Sequence, residues 1–159
     1  MAHEIEHKYL IDLAKWQPAG EGVSYRQGYL ASTEGCVVRV RIAGDQAFVT
    51  IKGPSEGISR LEFEYPIPVE DAEAMLEKLT QGPLIEKTRH RQDHAGRTWE
   101  IDVFHGDNEG LVVAEVEVDH ADDAVVRPDW VLTEVSHDPR YFNNNLVANP
   151  YRNWGEDRA

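Results

Sequence analysis

Runs in which apolar and polar side chains alternate occupy most of this chain. Because side chains on a strand point alternately to its two faces, such runs predict half-buried β-strands. We predict strands over residues 2–11, 23–31, 36–42, 47–52, 61–67, 84–91, 98–104 and 111–118. Turn signals such as Ala43-Gly44-Asp45 and His94-Ala95-Gly96 separate them. The fold is therefore expected to be mainly β.

Two segments do not follow this alternation. From Val69 to Leu79 the apolar residues recur at helical spacing, and Gly82-Pro83 follows as a stop signal. Near the C-terminus, Asp138-Pro139 favours a helix start, because aspartate caps free N–H groups and proline fits the first turn. The segment YFNNNL then predicts a C-terminal helix.

Charged side chains share one face of the predicted strands, and several strands are nearly pure in sign. The cations are Lys8, Arg39, Arg41, Lys52, Arg60, Lys87, Arg89 and Arg91. The anions are Glu4, Glu6, Glu62, Glu64, Glu100, Asp102, Glu115 and Glu117. The opposite faces carry Val38, Val40, Ile42, Val49, Ile51, Leu61, Phe63, Trp99, Ile101, Val103, Val116 and Val118.

Two architectures can produce this pattern. A flat antiparallel sheet with one solvated face is common and needs no ligand. However, when each strand carries charges of mainly one sign, few ion pairs form between neighbouring strands. In addition, about eight strands of this length can close into a barrel. We therefore favour an eight-stranded closed antiparallel barrel in the α+β class, with a charged interior and with helices and loops covering its apolar outer face.

Composition narrows the function. The 159 residues, 41% of them hydrophobic, suit one domain spanning 1–159, and the formal charge of −13 argues against general binding to nucleic acid or a membrane surface. The only cysteine is Cys36, and neither a signal peptide nor a membrane span is evident. We expect a cytoplasmic protein, and the sequence leaves monomer and homodimer open.

A ligand that suits both charge signs is a condensed phosphate with divalent cations. Lysine and arginine neutralise phosphate oxygens, while carboxylates bind hard cations that bridge to the same oxygens. Like charges crowded in a lumen repel one another strongly, so such a tunnel implies a ligand or counter-ions. The charge pattern therefore predicts a binding site inside the barrel.

These charged segments also carry a family resemblance. EIEHKYLI, VVRVRI, TIKG, RLEFEY, PLIEKTRHR, WEIDVF and LVVAEVEV, together with DPRYFNNNL, resemble the motifs of the triphosphate tunnel metalloenzymes, or CYTH superfamily, in its short bacterial form. The resemblance covers nearly the entire chain. It implies an eight-stranded tunnel, dependence on magnesium or manganese, and hydrolysis of triphosphate compounds, commonly inorganic tripolyphosphate.

The resemblance also implies roles for individual residues. Glu4, Glu6, Glu115 and Glu117 match metal-binding carboxylates, with Glu62, Glu64 and Asp102 in supporting or direct metal roles. The triphosphate-binding set is matched by Lys8, Arg39, Arg41, Lys52, Arg60, Lys87 and Arg89. The C-terminal helix is expected to plug or cap one mouth of the tunnel, although a simple surface helix fits the sequence nearly as well.

Phosphoryl transfer is catalysed mainly by charge neutralisation and positioning. We expect one metal and the cationic wall to hold the phosphates, while a second metal presents a water in line with the terminal phosphorus. Surrounding arginines disfavour the ammonium form of Lys87, so Lys87 is a candidate base, with Tyr29 as a candidate helper. A metal-bound hydroxide is the competing account.

Three classes of function remain open. The first is a triphosphatase that cleaves tripolyphosphate to pyrophosphate and phosphate, with thiamine triphosphate as another substrate. The second is a class IV type adenylate cyclase, and the third is a non-catalytic polyphosphate binder. The paired glutamates favour the enzymes.

The remaining residues of chemical interest have ordinary structural explanations. We expect Cys36 to be a buried structural thiol and the four tryptophans to be packing anchors. The histidines lack metal-binding spacing and are expected on the surface or in loops, with His7 pointing out of the tunnel.

Overall fold

The computed structural model describes residues 3–155, so Ala2, the predicted first residue of the opening strand, lies outside it. The strands are β1 His3–Ile11, β2 Val23–Ser32, β3 Val37–Ala43, β4 Gln46–Lys52, β5 Ser59–Ile67, β6 Ile85–His94, β7 Arg97–Phe104, β8 Val112–Glu117 and β9 Val131–Glu134. The helices are α1 Val69–Lys78 and α2 Asn143–Ala148, with 3-10 turns at Gly106–Asn108, Pro139–Tyr141 and Tyr151–Asn153.

Eight of the strands close into an antiparallel barrel, as predicted. Their neighbours run β5-β4-β3-β2-β6-β7-β8-β1, and β5 closes the ring by pairing with β1. The strand β9 is additional and was not predicted, because its four residues are too short for a recognisable alternation.

Strand β1 is paired on both of its edges. One edge lies along β8, with Glu6 opposite Glu117 and Lys8 opposite Glu115. The other edge is divided: its first residues pair with β5, with Glu4 opposite Arg60, and its last residues pair with β9. Charged residues from three strands are thereby brought to one part of the barrel wall.

Apolar side chains form three clusters, two outside the barrel and a third on the inward faces of its strands, where Tyr29 and Val37 also line the lumen. Helix α1 contributes Ala72 and Leu76, which pack against Val40 and Ile42 of β3. A second cluster surrounds Trp99 on the outer face of β1, β7 and β8. The third joins Ile85 of β6 and other barrel residues to the C-terminal segment through Tyr141, Leu146 and Trp154. All four tryptophans are buried, which confirms them as packing residues.

The expected cover over the outer face is incomplete. Leu61 and Phe63 of β5 are 44% and 41% exposed, and Ile51 of β4 is also exposed. Helix α1 packs on β2, β3 and β4, so this prediction was wrong for the outer face of β5.

Three local predictions are also corrected. Cys36 is exposed rather than buried, because it lies in the turn just before β3 begins. The single helix expected from Asp138 is a 3-10 turn followed by α2, since the backbone of Phe142 is extended between them. His7 points away from the tunnel, but it is partly buried against Glu134 rather than free on the surface.

Within residues 3–155, no helix combines the length and the apolar composition that a membrane span needs.

Candidate active site

The interior of the barrel is a cavity of about 890 Å³. Strand alternation turns the charged residues inward while their apolar neighbours face outward. The predicted residues that line this cavity are Glu4, Glu6, Lys8, Tyr29, Arg39, Arg41, Lys52, Arg60, Glu62, Glu64, Lys87, Arg89, Glu115 and Glu117. Asp102 is the one predicted site residue that does not line it.

Asp102 is fully buried behind two of the cations. Its Oδ1 accepts a hydrogen bond from Arg89 Nε at 2.7 Å, and its Oδ2 accepts from Arg89 Nη2 at 2.9 Å. Lys87 Nζ donates to the same Oδ2 at 2.7 Å. These cations hold the pKa of Asp102 below its ordinary value despite its burial. Of the two roles considered, this geometry favours a supporting one.

Lys87, Arg39, Arg41 and Arg89 form what we call the cationic cluster. Burial, together with the nearby Arg89 and Arg41, lowers the pKa of Lys87 to about 7, although Asp102 acts in the opposite direction. Burial and the neighbouring arginines likewise lower the pKa of Arg41 to about 10. The cluster is thus a dense positive region in which Lys87 is the cation that most readily loses its proton.

Neutral groups keep the arginines in place. The Tyr25 ring lies between Arg41 and Arg89, each guanidinium being 4.8 Å from its centre. Gln27 Oε1 accepts from Arg41 Nε at 2.9 Å. Arg39 donates to Thr50 at 3.1 Å, and the Thr50 hydroxyl donates to Glu64 at 2.8 Å.

Glu4, Glu6, Glu62 and Glu115 form what we call the acidic cluster. Burial and the nearby carboxylates of Glu115 and Glu4 raise the pKa of Glu6 well above its usual value. Burial and a hydrogen bond to Glu4 raise the pKa of Glu62 to about 7. The carboxyls therefore form two pairs, Glu6 with Glu115 and Glu62 with Glu4, in which the pKa of the first member is raised and that of the second is lowered.

Two further cations border the acidic cluster. Lys52 Nζ lies 3.1 Å from a Glu4 oxygen and 3.3 Å from a Glu62 oxygen. Arg60 donates from two nitrogens to the backbone carbonyl of Gly53, at 3.0 and 2.8 Å. Arg60 therefore helps to hold the loop after β4, as well as lining the cavity.

The acidic cluster has the donor chemistry of a site for hard divalent cations. Its carboxylate oxygens are the ligands that Mg²⁺ prefers, and a cation would replace the protons that the carboxyl pairs share. Glu62 Oε2 is buried and has no hydrogen-bond partner among the described residues, although the Lys52 ammonium is near. In residues 3–155 no three acidic or histidine side chains already converge on one point. Metal binding would therefore draw these side chains together.

The C-terminal segment lies across one end of the cavity and supplies contacts that the sequence did not reveal. Lys8 Nζ donates to the Tyr141 carbonyl at 3.1 Å, and Lys87 Nζ donates to Asn143 Oδ1 at 2.9 Å. Gln27 of β2 could have been predicted as a site residue from the sequence, because it lies on the same strand face as Tyr29. Nothing in the run of three asparagines distinguishes Asn143.

The structure is a closed antiparallel barrel whose lumen carries a cationic cluster and an acidic cluster. It therefore belongs to the barrels that enclose a charged tunnel. The sequence matches the CYTH domain over residues 2–151. The chain therefore belongs to the CYTH family, which confirms the resemblance found in its motifs.

Relatives of this chain have similar lengths. It is 47% identical over 156 residues to an inorganic triphosphatase of Acetivibrio thermocellus, with 98% of this chain and 100% of the relative covered. An inorganic triphosphatase of Nitrosomonas europaea is 39% identical over 150 residues, covering 91% and 96%. The crystal structure of an inorganic triphosphatase has a TM-score of 0.65 at 37% identity, covering 92% of this chain and 95% of that structure.

Proposed function

We propose that this single-domain chain is a divalent-metal-dependent triphosphatase that hydrolyses inorganic tripolyphosphate to pyrophosphate and orthophosphate. The observation that carries the proposal is the enclosed cavity in which the cationic cluster faces the acidic cluster. Relatives named inorganic triphosphatase, which align over nearly their whole length, support the choice of reaction.

Binding of the substrate is assigned to the cations. Arg39, Arg41 and Arg89 neutralise the phosphate oxygens, together with Lys8, Lys52 and Arg60 at other parts of the wall. Because the arginines are already oriented by Thr50, Gln27 and Asp102, little reorganisation is needed when the anion arrives. Neutralising the phosphates lowers the repulsion that an incoming nucleophile meets.

The acidic cluster, with Glu117 and Glu64 beside it, is assigned to Mg²⁺ or Mn²⁺, and the number of carboxylates suits two ions. Divalent cations at such a site neutralise phosphate charge and activate water. The chain's own contribution is to present carboxylate oxygens next to the bound phosphates and to exclude bulk water from the enclosed cavity.

Lys87 is assigned as the general base, with Tyr29 nearby in the same hydrogen-bonded network. A base must have a free lone pair, and the pKa of about 7 leaves a substantial neutral fraction of Lys87 at physiological pH. The rate is therefore expected to rise with pH through about 7.

A substrate assay tests the reaction. Purified protein with Mg²⁺ is offered tripolyphosphate, ATP and thiamine triphosphate separately, and phosphate, pyrophosphate and cyclic AMP are measured. Phosphate from tripolyphosphate supports the proposal. Cyclic AMP from ATP would instead identify a cyclase, preferential cleavage of thiamine triphosphate a thiamine triphosphatase, and tight binding without products a polyphosphate binder.

The base assignment is tested with Lys87→Ala. We expect kcat to fall by about 10²- to 10⁴-fold, the usual contribution of a general base. Lys15→Ala, at an exposed position near the end of β1, is the matched control. Normal turnover of Lys87→Ala with an unchanged pH profile would eliminate Lys87 as the base.

A further inference from the structure

Asn143, the first residue of α2, contacts Lys87 from the C-terminal segment. Its Oδ1 accepts from Lys87 Nζ at 2.9 Å and from Gln27 Nε2 at 3.3 Å. In both contacts Asn143 Oδ1 is the acceptor, so the oxygen end of the side-chain amide faces the lysine. Asn143 also lines the cavity, which places this contact at the edge of the candidate active site.

The number of hydrogen bonds that the Lys87 nitrogen can donate determines how this contact orients it. A neutral amine has two N–H bonds and one lone pair, and Lys87 is 1% exposed, so its surroundings decide where each points. Asp102 Oδ2 and Asn143 Oδ1 both accept from Nζ, at 2.7 and 2.9 Å. The two acceptors occupy both N–H bonds and leave the lone pair as the free direction of the nitrogen.

Gln27 extends this arrangement to other residues of the site. Its Nε2 donates to the Tyr29 hydroxyl at 3.1 Å as well as to Asn143, and its Oε1 accepts from Arg41 at 2.9 Å. Gln27 is fully buried, so the two amides link Tyr29, Arg41 and Lys87 into one network. A shift of Asn143 would therefore be transmitted to Lys87 directly.

We propose that Asn143 is a positioning residue for the triphosphatase reaction, holding Lys87 Nζ together with Asp102 so that the lone pair of the amine is directed toward the substrate. This inference rests on the proposed function, because it takes Lys87 as the base. It makes the C-terminal segment part of the catalytic arrangement rather than only a cover over the tunnel.

Kinetics of Asn143→Leu test this role, with Asn145→Leu as the matched control. Asn145 lies in the same helix, and its side chain donates to the Pro139 carbonyl at 2.8 Å, away from Lys87. We expect kcat for tripolyphosphate to fall by about 10²-fold in Asn143→Leu with KM nearly unchanged, since misplacement of a reacting group by about 1 Å has such an effect. Asn145→Leu should keep wild-type kcat. A raised KM with normal kcat would overturn the proposal and make Asn143 a substrate-binding residue.

A second measurement does not depend on hydrolysis. The ¹³Cε and ¹⁵Nζ resonances of Lys87, assigned by their loss in Lys87→Met, should move in Asn143→Leu and stay in place in Asn145→Leu. Unchanged resonances in both variants would overturn the proposal. If Asn143→Leu does not fold, Asn143→Ser is used for both measurements. If the wild type cleaves no tripolyphosphate, the proposed function fails, while the resonances still decide whether Asn143 holds Lys87.

Discussion

The cationic and acidic clusters face the same cavity, but they accommodate buried charge in different ways. In the cationic cluster a buried counter-ion, Asp102, pairs with Lys87 and Arg89. Arg41 is hydrogen-bonded to Gln27, and Arg39 to Thr50 and, at 3.5 Å, to Glu64. In the acidic cluster the carboxyls pair mainly with one another, and Glu6 and Glu62 have raised pKa values because of burial and like charge. The cationic cluster is mostly paired within the protein, with Arg39 Nε lacking a hydrogen-bond partner among the described residues, whereas a bound cation would relieve the repulsion between the carboxyls of the acidic cluster.

The two clusters therefore contribute to the proposed function in different ways. A preformed cationic site binds an anion with little reorganisation, although its charge falls as Lys87 loses its proton near pH 7. The acidic site is sensitive to both pH and divalent cations, since protons and metal ions compete for the same oxygens. Four measurements of stability test whether the two clusters differ in this way.

The largest effect is expected from Asp102→Ala. The change leaves Lys87 and Arg89 buried without their counter-ion, so the free energy of unfolding should fall by about 3 to 5 kcal/mol in urea denaturation. Asp107→Ala is the control, because Asp107 pairs with the exposed Arg152 and its loss should cost about 1 kcal/mol or less. Equal losses in the two variants would contradict a special role for Asp102.

Mg²⁺ should stabilise the wild-type protein through the acidic cluster. At a hundredfold excess over its Kd, a ligand that binds only the folded state adds about 2.7 kcal/mol to the free energy of unfolding. Thermal unfolding with and without MgCl₂ measures the shift. Potassium chloride at matched ionic strength is the control, and an equal shift with KCl would argue against a specific site.

Glu62→Gln should flatten the pH dependence of stability in EDTA. The pKa of Glu62 is about 7 in the folded protein and 4.5 for an ordinary glutamate, so between these pH values the folded protein binds a proton that the unfolded chain does not. Stability from this group is present below pH 4.5 and is lost as the pH rises through 7. In Glu62→Gln, the decrease in the free energy of unfolding between pH 5 and 7 should be smaller than in the wild type by about 1 to 2 kcal/mol.

The control for this titration is Glu77→Gln on the exposed face of α1. Denaturation curves at a series of pH values compare both variants with the wild type. A slope in Glu62→Gln as steep as that of the wild type would show that the carboxyl pair does not retain its proton.

The smallest effect is expected on the outside of the same strand. Phe63 lies between Glu62 and Glu64 in sequence but on the outer face, where it is 41% exposed, so Phe63→Thr should lower the free energy of unfolding by only about 1 kcal/mol or less. Its Mg²⁺-induced shift should equal that of the wild type. A large change in either measurement would mean that the outer face of β5 is coupled to the acidic cluster.

Much of the barrel could be predicted because alternation is a local property of the sequence. Glu4, Glu6 and Lys8 share a face whatever they pair with, and the same rule located Arg39 and Arg41. Closure into a barrel was predicted from strand number, the charge pattern and the family resemblance, and it was correct. The pairing of β1 with β5 that closes it was not predicted.

Other features depend on contacts between distant residues and could not be predicted. Asn143 is one of three adjacent asparagines, and only the position of α2 against β6 brings it to Lys87. Asp102 shares the inward face of β7 with Glu100, but Lys87 and Arg89 cover it, so it does not line the cavity. The exposure of Phe63 likewise depends on where α1 packs.

The divided edge of β1 also bears on how this chain folds. Its partners β5, β8 and β9 lie progressively farther along the sequence, so the barrel closes through long-range contacts, which form slowly. During synthesis from the N-terminus, β1 emerges first, yet its hydrogen bonds to β9 wait for almost the whole polypeptide. The strand that opens the sequence is therefore among the last to be fully paired.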